Sequence, residues 1–190
     1  MEEKRLDLRD LPAGGYLVHA TNCLGSWGAG VAAEIRDIFP AAYARYKEHC
    51  GSFERAPGSL HASRDLAGRC LVIPPQPEDV VRANAPDVSV VCLFTSYGYG
   101  RRTTTKPGRD PKHLIQNQTA RALSHFRSQI YGEDGGGYGK MGTGGRDAET
   151  LAIFSPKFNS GLFRVPWEET AGQIRDAFDG CKGAWTVLTQ

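Results

Sequence analysis

Nothing in this chain reads as a disulfide framework, a membrane span or an export signal. Its five cysteines, Cys23, Cys50, Cys70, Cys92 and Cys181, are odd in number, widely spaced, and form neither a CxxC pair nor a Cys/His zinc pattern. They read as reduced thiols of a cytoplasmic or nuclear protein. No run of about eighteen apolar residues occurs, and the opening "MEEKRLDLRD" is charged where a signal would be apolar. Neither membrane insertion nor secretion is expected. An excess of one charge is also lacking: 23 Lys and Arg face 21 Asp and Glu. Such a balance advertises no basic face, so direct nucleic-acid binding is not expected. None of the cysteines is followed six positions later by Arg, which excludes a C-x5-R phosphatase loop. No carboxylate cluster calls for a metal, and no cofactor is expected.

What is present fits one α/β domain spanning 1–190. With 190 residues, 40% of them apolar, the chain can bury a sizeable core. Short β-branched and aromatic runs predict strands at 4–8, 16–20, 70–74, 88–95, 151–156 and 185–189. The run "VSVVCLFT" is apolar almost throughout, as a strand covered on both faces should be. Helical patterns predict Val31–Ile38, Ala41–Cys50, Lys112–Tyr131 and Pro166–Phe178, the last with Pro at its first turn and Glu168 and Glu169 near its positive end. The segment 132–150 holds eight glycines and little apolar content. It reads as a flexible surface insertion within the domain.

Two stretches carry chemistry. "HATNCLGSWGAGVAAEI", His19 to Ile35, runs from a strand through glycines into a helix, where bare backbone and the free N–H groups of a helix start form an anion cradle. The same glycines would also serve a plain tight turn. They match neither the phosphate loop ending in GK[ST] nor the usual dinucleotide fingerprint. "SPKFNSGLFRVPWEET", Ser155 to Thr170, repeats the plan: strand, small-residue loop, helix. Two such loops can converge on one ligand at the carboxyl edge of a sheet, and a diphosphate would suit two cradles.

These residues resemble the macrodomains, the ADP-ribose-binding family. "LGSWGAGVA" is similar to their first ligand loop and "FNSGLFRVPW" to their second, with the nearest likeness to the fungal ADP-ribose 1″-phosphate phosphatases. "CLFTS" and the closing "WTV" match as well. The resemblance implies a three-layer α/β/α sandwich around a central mixed sheet, and ADP-ribose or ADP-ribose 1″-phosphate as the small-molecule ligand. It implies that Asp7, or else Asp10, takes the adenine amino group, and that Asn22 bonds the distal ribose. Gly28, Ala29, Gly30 and Val31 would pass the diphosphate, and Asn159, Ser160, Gly161, Leu162 and Phe163 would form the second loop. Phe163 stands where relatives place an aromatic ring against that ribose, or it packs in the core. Trp27 is either a lid over the ribose or a buried anchor for its loop.

Departures from the family narrow the chemistry. Mono-ADP-ribosyl hydrolases carry an Asp where this chain has Ala32, and the lysine-dependent hydrolases need a Lys near Ser96 and an Asp near Phe163, both missing here. The expectation is a phosphatase acting on the terminal phosphate of ADP-ribose 1″-phosphate, linked to tRNA splicing. The alternatives are a non-catalytic ADP-ribose reader and, further off, a Rossmann-like enzyme for another nucleotide. His19 and Asn22 are the residues expected to carry catalysis. His19 would orient or deprotonate water, since imidazole titrates near neutral pH, although a histidine at a strand end also serves structure.

Overall fold

The computed structural model describes residues 1–54, 62–132 and 151–189, so all of the expected insertion except Gly132 lies outside the described residues. Six strands, β1 Glu2–Arg5, β2 Tyr16–Asn22, β3 Cys70–Ile73, β4 Ser89–Ser96, β5 Ala152–Ser155 and β6 Ala184–Thr189, form one sheet in the order β1-β6-β5-β2-β4-β3. All neighbouring pairs are parallel except β3 with β4. Five α-helices, α1 Val31–Ile38, α2 Pro40–Glu54, α3 Pro77–Arg82, α4 Lys112–Tyr131 and α5 Trp167–Ala177, and two 3₁₀ turns, Leu8–Asp10 and Ala62–Leu66, complete the described elements.

The two-residue period of the central strands explains the layers. Leu17 on β2 and Val90, Cys92 and Phe94 on β4 face Ile35 and Ile38 of α1 and Tyr46 of α2. Their neighbours Val18, Val91 and Leu93 face Leu123 and Phe126 of α4 and Ile174 of α5. Both faces of β4 are therefore covered, as its apolar run requires. The result is a sheet between two helical layers, as expected.

Three local differences from the sequence reading have physical causes. The first strand ends at Arg5 rather than Leu8, because Asp7 accepts a hydrogen bond from the Arg9 N–H at 2.8 Å and caps a single 3₁₀ turn, Leu8–Asp10. The second helix begins at Pro40 and runs to Glu54, past the expected end at Cys50. The short α3, opened by Pro77, was not foreseen, since six residues are too few to show a helical period. It holds the start of α2: Asp79, 1% exposed, accepts the Ala41 N–H at 2.7 Å and the Ala42 N–H at 2.9 Å.

Removing that carboxylate leaves two helix-start N–H groups unpaired in a buried place. Asp79→Ala should cost about 2 kcal/mol, and Asp79→Asn, which keeps one acceptor, about half as much. Urea unfolding of the variants checks this; equal stability of Asp79→Ala and wild type would remove the cap.

Candidate functional site

Because β1, β6, β5, β2 and β4 are parallel neighbours, their carboxyl ends line one edge of the sheet. At the usual strand spacing of about 4.8 Å, that edge spans about 19 Å from β1 to β4. From β5 the chain proceeds toward β6 on one side, and from the adjacent β2 toward β4 and β3 on the other. The loops leaving these two strands therefore part and leave a crevice between them, the usual place for a ligand in such a sheet. A cleft of about 1310 Å³ lies there. It exceeds the ~300–1,000 Å³ of an ordinary small-molecule pocket, and so suits a long ligand.

Most of the residues singled out in the sequence line this cleft. Asp7, Asn22, Trp27 and the run Gly28–Val31 contribute from one part of the chain, and the run Asn159–Phe163 from the other. Asp10 does not line it, which leaves Asp7 as the acid at the β1 end. The two loops approach closely: Gly30 has φ +58°, and a side-chain carbon built on it would stand 3.9 Å from Leu162 Cδ1. Any other residue at 30 would be strained by its backbone and would project toward the facing loop.

The asparagines hold the loops more than they present to the cleft. The Asn22 Oδ1 accepts the N–H groups of Leu24 at 2.9 Å and Ser26 at 3.4 Å, while its Nδ2 donates to the Ser26 carbonyl at 2.6 Å. Tyr46 of α2 donates its hydroxyl to the Asn22 carbonyl at 2.5 Å, which fixes the end of β2 from below. On the second loop Asn159 is held at φ +64°; its Oδ1 accepts from Thr95 Oγ1 and its Nδ2 donates to Thr119 Oγ1, each at 2.9 Å. Ser160 donates its hydroxyl to the Lys157 carbonyl. Between them these bonds set the shape of both loops before any ligand arrives.

His19 stands elsewhere. It is fully buried, does not line the cleft, and neither of its ring nitrogens has a hydrogen-bond partner among the described residues. The ring meets Trp27 edge-on, centroids 4.7 Å apart, and Trp27 in turn stacks on Tyr46 at 5.0 Å. Burial pushes the His19 imidazole down to about 3, so it is neutral at physiological pH. This placement argues against the direct role expected of it, because a base must reach the proton that it abstracts. Of the two expectations for Trp27, the ring is fully buried as an anchor while its residue forms part of the cleft wall.

Glu34 and Tyr99 are among the cleft residues that the sequence reading does not single out. Glu34 is half-buried, one helical turn after Gly30 on α1, and is the cleft carboxylate on the side of the first loop. Its spacing of four from Gly30 was the available signal. Tyr99 follows the carboxyl end of β4 and lines the cleft opposite the Asp7 end; only the sheet order reveals it.

No protein-family model matches the chain. Curated relatives do. An ADP-ribose 1″-phosphate phosphatase of Aspergillus fumigatus is 35% identical, covering 90% of this chain and 86% of its own length. That of Aspergillus clavatus is 36% identical with the same coverage, and that of Meyerozyma guilliermondii is 33% identical over 86% of this chain and 84% of its own. The chain belongs to the ADP-ribose 1″-phosphate phosphatase family. The fold is also similar to the macrodomain of Mycobacterium tuberculosis DarG, with a TM-score of 0.63 at 14% identity, covering 99% of this chain and 97% of that one. Thermosipho africanus DarTG, solved in complex with ADP-ribose, gives 0.56 at 15% identity over 92% of this chain and 38% of that one. These solved structures establish a macrodomain fold for the family member described here.

The buried imidazole has a consequence for stability. Its folded pKa of about 3 lies below the ordinary 6.5, so between those values the unfolded chain binds a proton that the folded chain refuses. The contribution is whole above about pH 6.5 and is lost as pH falls toward about 3, at up to about 1.4 kcal/mol per pH unit. His19→Leu should therefore lose less stability than wild type between about pH 7 and about pH 5 in urea unfolding. Identical losses in the two proteins would show that His19 is not the group responsible.

Proposed function

We propose that this protein binds ADP-ribose along the carboxyl edge of its sheet and hydrolyses the terminal phosphate of ADP-ribose 1″-phosphate, giving ADP-ribose and inorganic phosphate. The observation that carries the binding is the facing of two small-residue loops from adjacent parallel strands, Gly30 against Leu162, at the point where the connections part. The family supplies the reaction. In this reading Asp7 accepts from the adenine amino group, the backbone of Gly28–Val31 and Ser160–Leu162 holds the diphosphate, and Phe163 meets the distal ribose. Supply of the substrate from tRNA splicing belongs to the same proposal.

The chemistry asks for little beyond placement. Water attacks phosphorus, the bond from phosphorus to the 1″ oxygen breaks, and the sugar leaves with a hydroxyl proton. Fixed loops reduce the entropy of alignment, and N–H donors offset the spreading charge. A proton acceptor for the water is the remaining need. Asp7 stands three strands away from the first loop, whereas Glu34 stands one turn beyond it. We assign Glu34 that role, since it lines the cleft together with Phe163, where the distal ribose is placed. His19 is a positioning residue, acting through Trp27 on the first loop.

The withdrawal of His19 from the cleft favours one other reading, a reader that binds ADP-ribose without turnover. Phosphate release from ADP-ribose 1″-phosphate separates the two, because a reader would release none while still binding ADP-ribose.

Gly30→Glu should lower ADP-ribose affinity at least about tenfold, or about 1.4 kcal/mol, by placing bulk and like charge beside the diphosphate. Calorimetry on the folded variant checks it, and unchanged affinity would take the first loop out of the site. Glu34→Gln should reduce kcat by about 10² to 10⁴ with ADP-ribose affinity nearly unchanged, whereas His19→Leu should change kcat by less than about tenfold. The reverse order of effects would return the base to His19.

A further inference from the structure

Beyond Phe163 the cleft gives way to a second hollow of about 310 Å³, and Phe163 lines both. Arg101, Arg102 and Arg109, from the loop joining β4 to α4, and Arg164, the residue after Phe163, line its walls. None of the four forms an ion pair with a carboxylate among the described residues. The acids nearby are engaged. Asp110 accepts from the Tyr97 N–H at 2.8 Å and Gln118 Nε2 at 3.1 Å and faces Arg64 at 3.4 Å, while Glu169 takes Lys112 at 2.6 Å. The first turn of α4 carries no acidic residue to offset the arginines. Four arginines with no carboxylate partner among the described residues line one hollow, and their shared positive charge favours an anion there.

The arginines also stand on a shaped support. The Arg109 N–H donates to the Gly100 carbonyl at 3.0 Å and the Thr103 N–H to the Lys106 carbonyl at 3.0 Å. At Gly98 an added side-chain carbon would collide with the Pro107 carbonyl oxygen, so the two limbs of the loop touch through bare backbone. Arg164 is held at φ +57°, a conformation that costs a non-glycine residue free energy. The sheet order sets where the hollow lies along a ligand: the β1 end holds Asp7, the loops occupy the middle, and the loop after β4 lies at the opposite end.

We infer that this hollow is a phosphate-monoester subsite, in which Arg101, Arg102, Arg109 and Arg164 take the terminal phosphate of a ligand whose remainder fills the cleft. The inference rests on the orientation given under the proposed function, with the adenine at Asp7 and the distal ribose at Phe163. Guanidinium groups suit a phosphate because their paired N–H donors match its oxygens. The arginines are specificity residues: they distinguish phosphorylated from unphosphorylated ligand, while the loops bind the part common to both. Inorganic phosphate carries the same chemistry and is the second occupant to distinguish.

The test compares wild type with the paired variant R101Q/R102Q and with R109Q and R164Q, each keeping a polar side chain while removing the charge. The readouts are KM for ADP-ribose 1″-phosphate and the inhibition constants of ADP-ribose and of inorganic phosphate. We expect KM to rise at least about tenfold in the paired variant and less in each single one, with inhibition by ADP-ribose changed less than about twofold. Weaker inhibition by inorganic phosphate in the same variants would add the free ion as an occupant. Inhibition by phosphate unchanged while KM rises would assign the hollow to the ligand-borne group alone. An unchanged KM would overturn the subsite, as would a parallel loss for ADP-ribose, which would mark general damage to the loop. Should wild type release no phosphate, the phosphatase reading fails by itself. Equilibrium affinities then decide the subsite: it requires wild type to prefer the phosphorylated ligand and the paired variant to lose that preference, and equal affinities in wild type would overturn it.

Discussion

The direction of five strands governs everything that the cleft contains. β1, β6, β5, β2 and β4 run parallel, so each delivers its following residues to the same edge of the sheet. A parallel pair requires a crossover between its members, and these crossovers supply the helices on both faces. Since β5 and β2 are neighbours whose onward connections diverge, no loop among the described residues runs from one of their ends to the other. The cleft follows from this topology before any side chain is chosen. Side chains then determine only which ligand the space accepts.

Two asparagines turn that space into a shaped site. Asn22 ends β2 and Asn159 lies in the loop that follows β5, and each uses its amide as acceptor and donor within the protein. A carboxylate would lack the donor, and an apolar residue would leave the Thr95 hydroxyl or the turn of the first loop without partners. Each such buried polar group left unpaired costs about 1–3 kcal/mol. The backbone donors of the loops thus keep their places without the ligand, which lowers the entropic cost of binding it. Preorganisation of this kind is what a reaction driven by placement needs.

The motifs that make backbone geometry were legible in the sequence; the uses of individual polar side chains were less so. Gly30 was readable because a positive φ and a facing loop both exclude larger residues, and strands and helices were readable where their period was long enough. Asn22 lines the cleft, but its amide is spent on its own loop, and residue type alone does not separate a ligand donor from a loop staple. The position of His19 did carry a signal. It shares one face of β2 with Leu17 and Thr21, and Leu17 belongs to the core under α1 and α2, so the two-residue period places His19 toward that core. Asp79 was beyond reach, since its partners lie 38 and 37 residues away in the chain. The four arginines drew no notice because a net charge of +2 averages over the very clustering that sets them apart.

The region beneath the first loop shows why a functional residue type can stand apart from the chemistry. Trp27 packs between His19 and Tyr46, and Tyr46 continues the stack to Phe94 on β4 at 6.0 Å. Such aromatic pairs contribute about 0.5–1.5 kcal/mol each beyond their buried area. The indole nitrogen and both imidazole nitrogens find no protein partner among the described residues, which opposes that gain. An aliphatic residue at 19 would remove the opposing cost but would lose the edge-on contact that sets the tilt of Trp27. The tilt matters because Gly28 to Val31 follow Trp27 directly, and an error at the anchor passes along the backbone to the groups facing the second loop. In the proposed reading, stability at this place is exchanged for the placement of a few N–H groups.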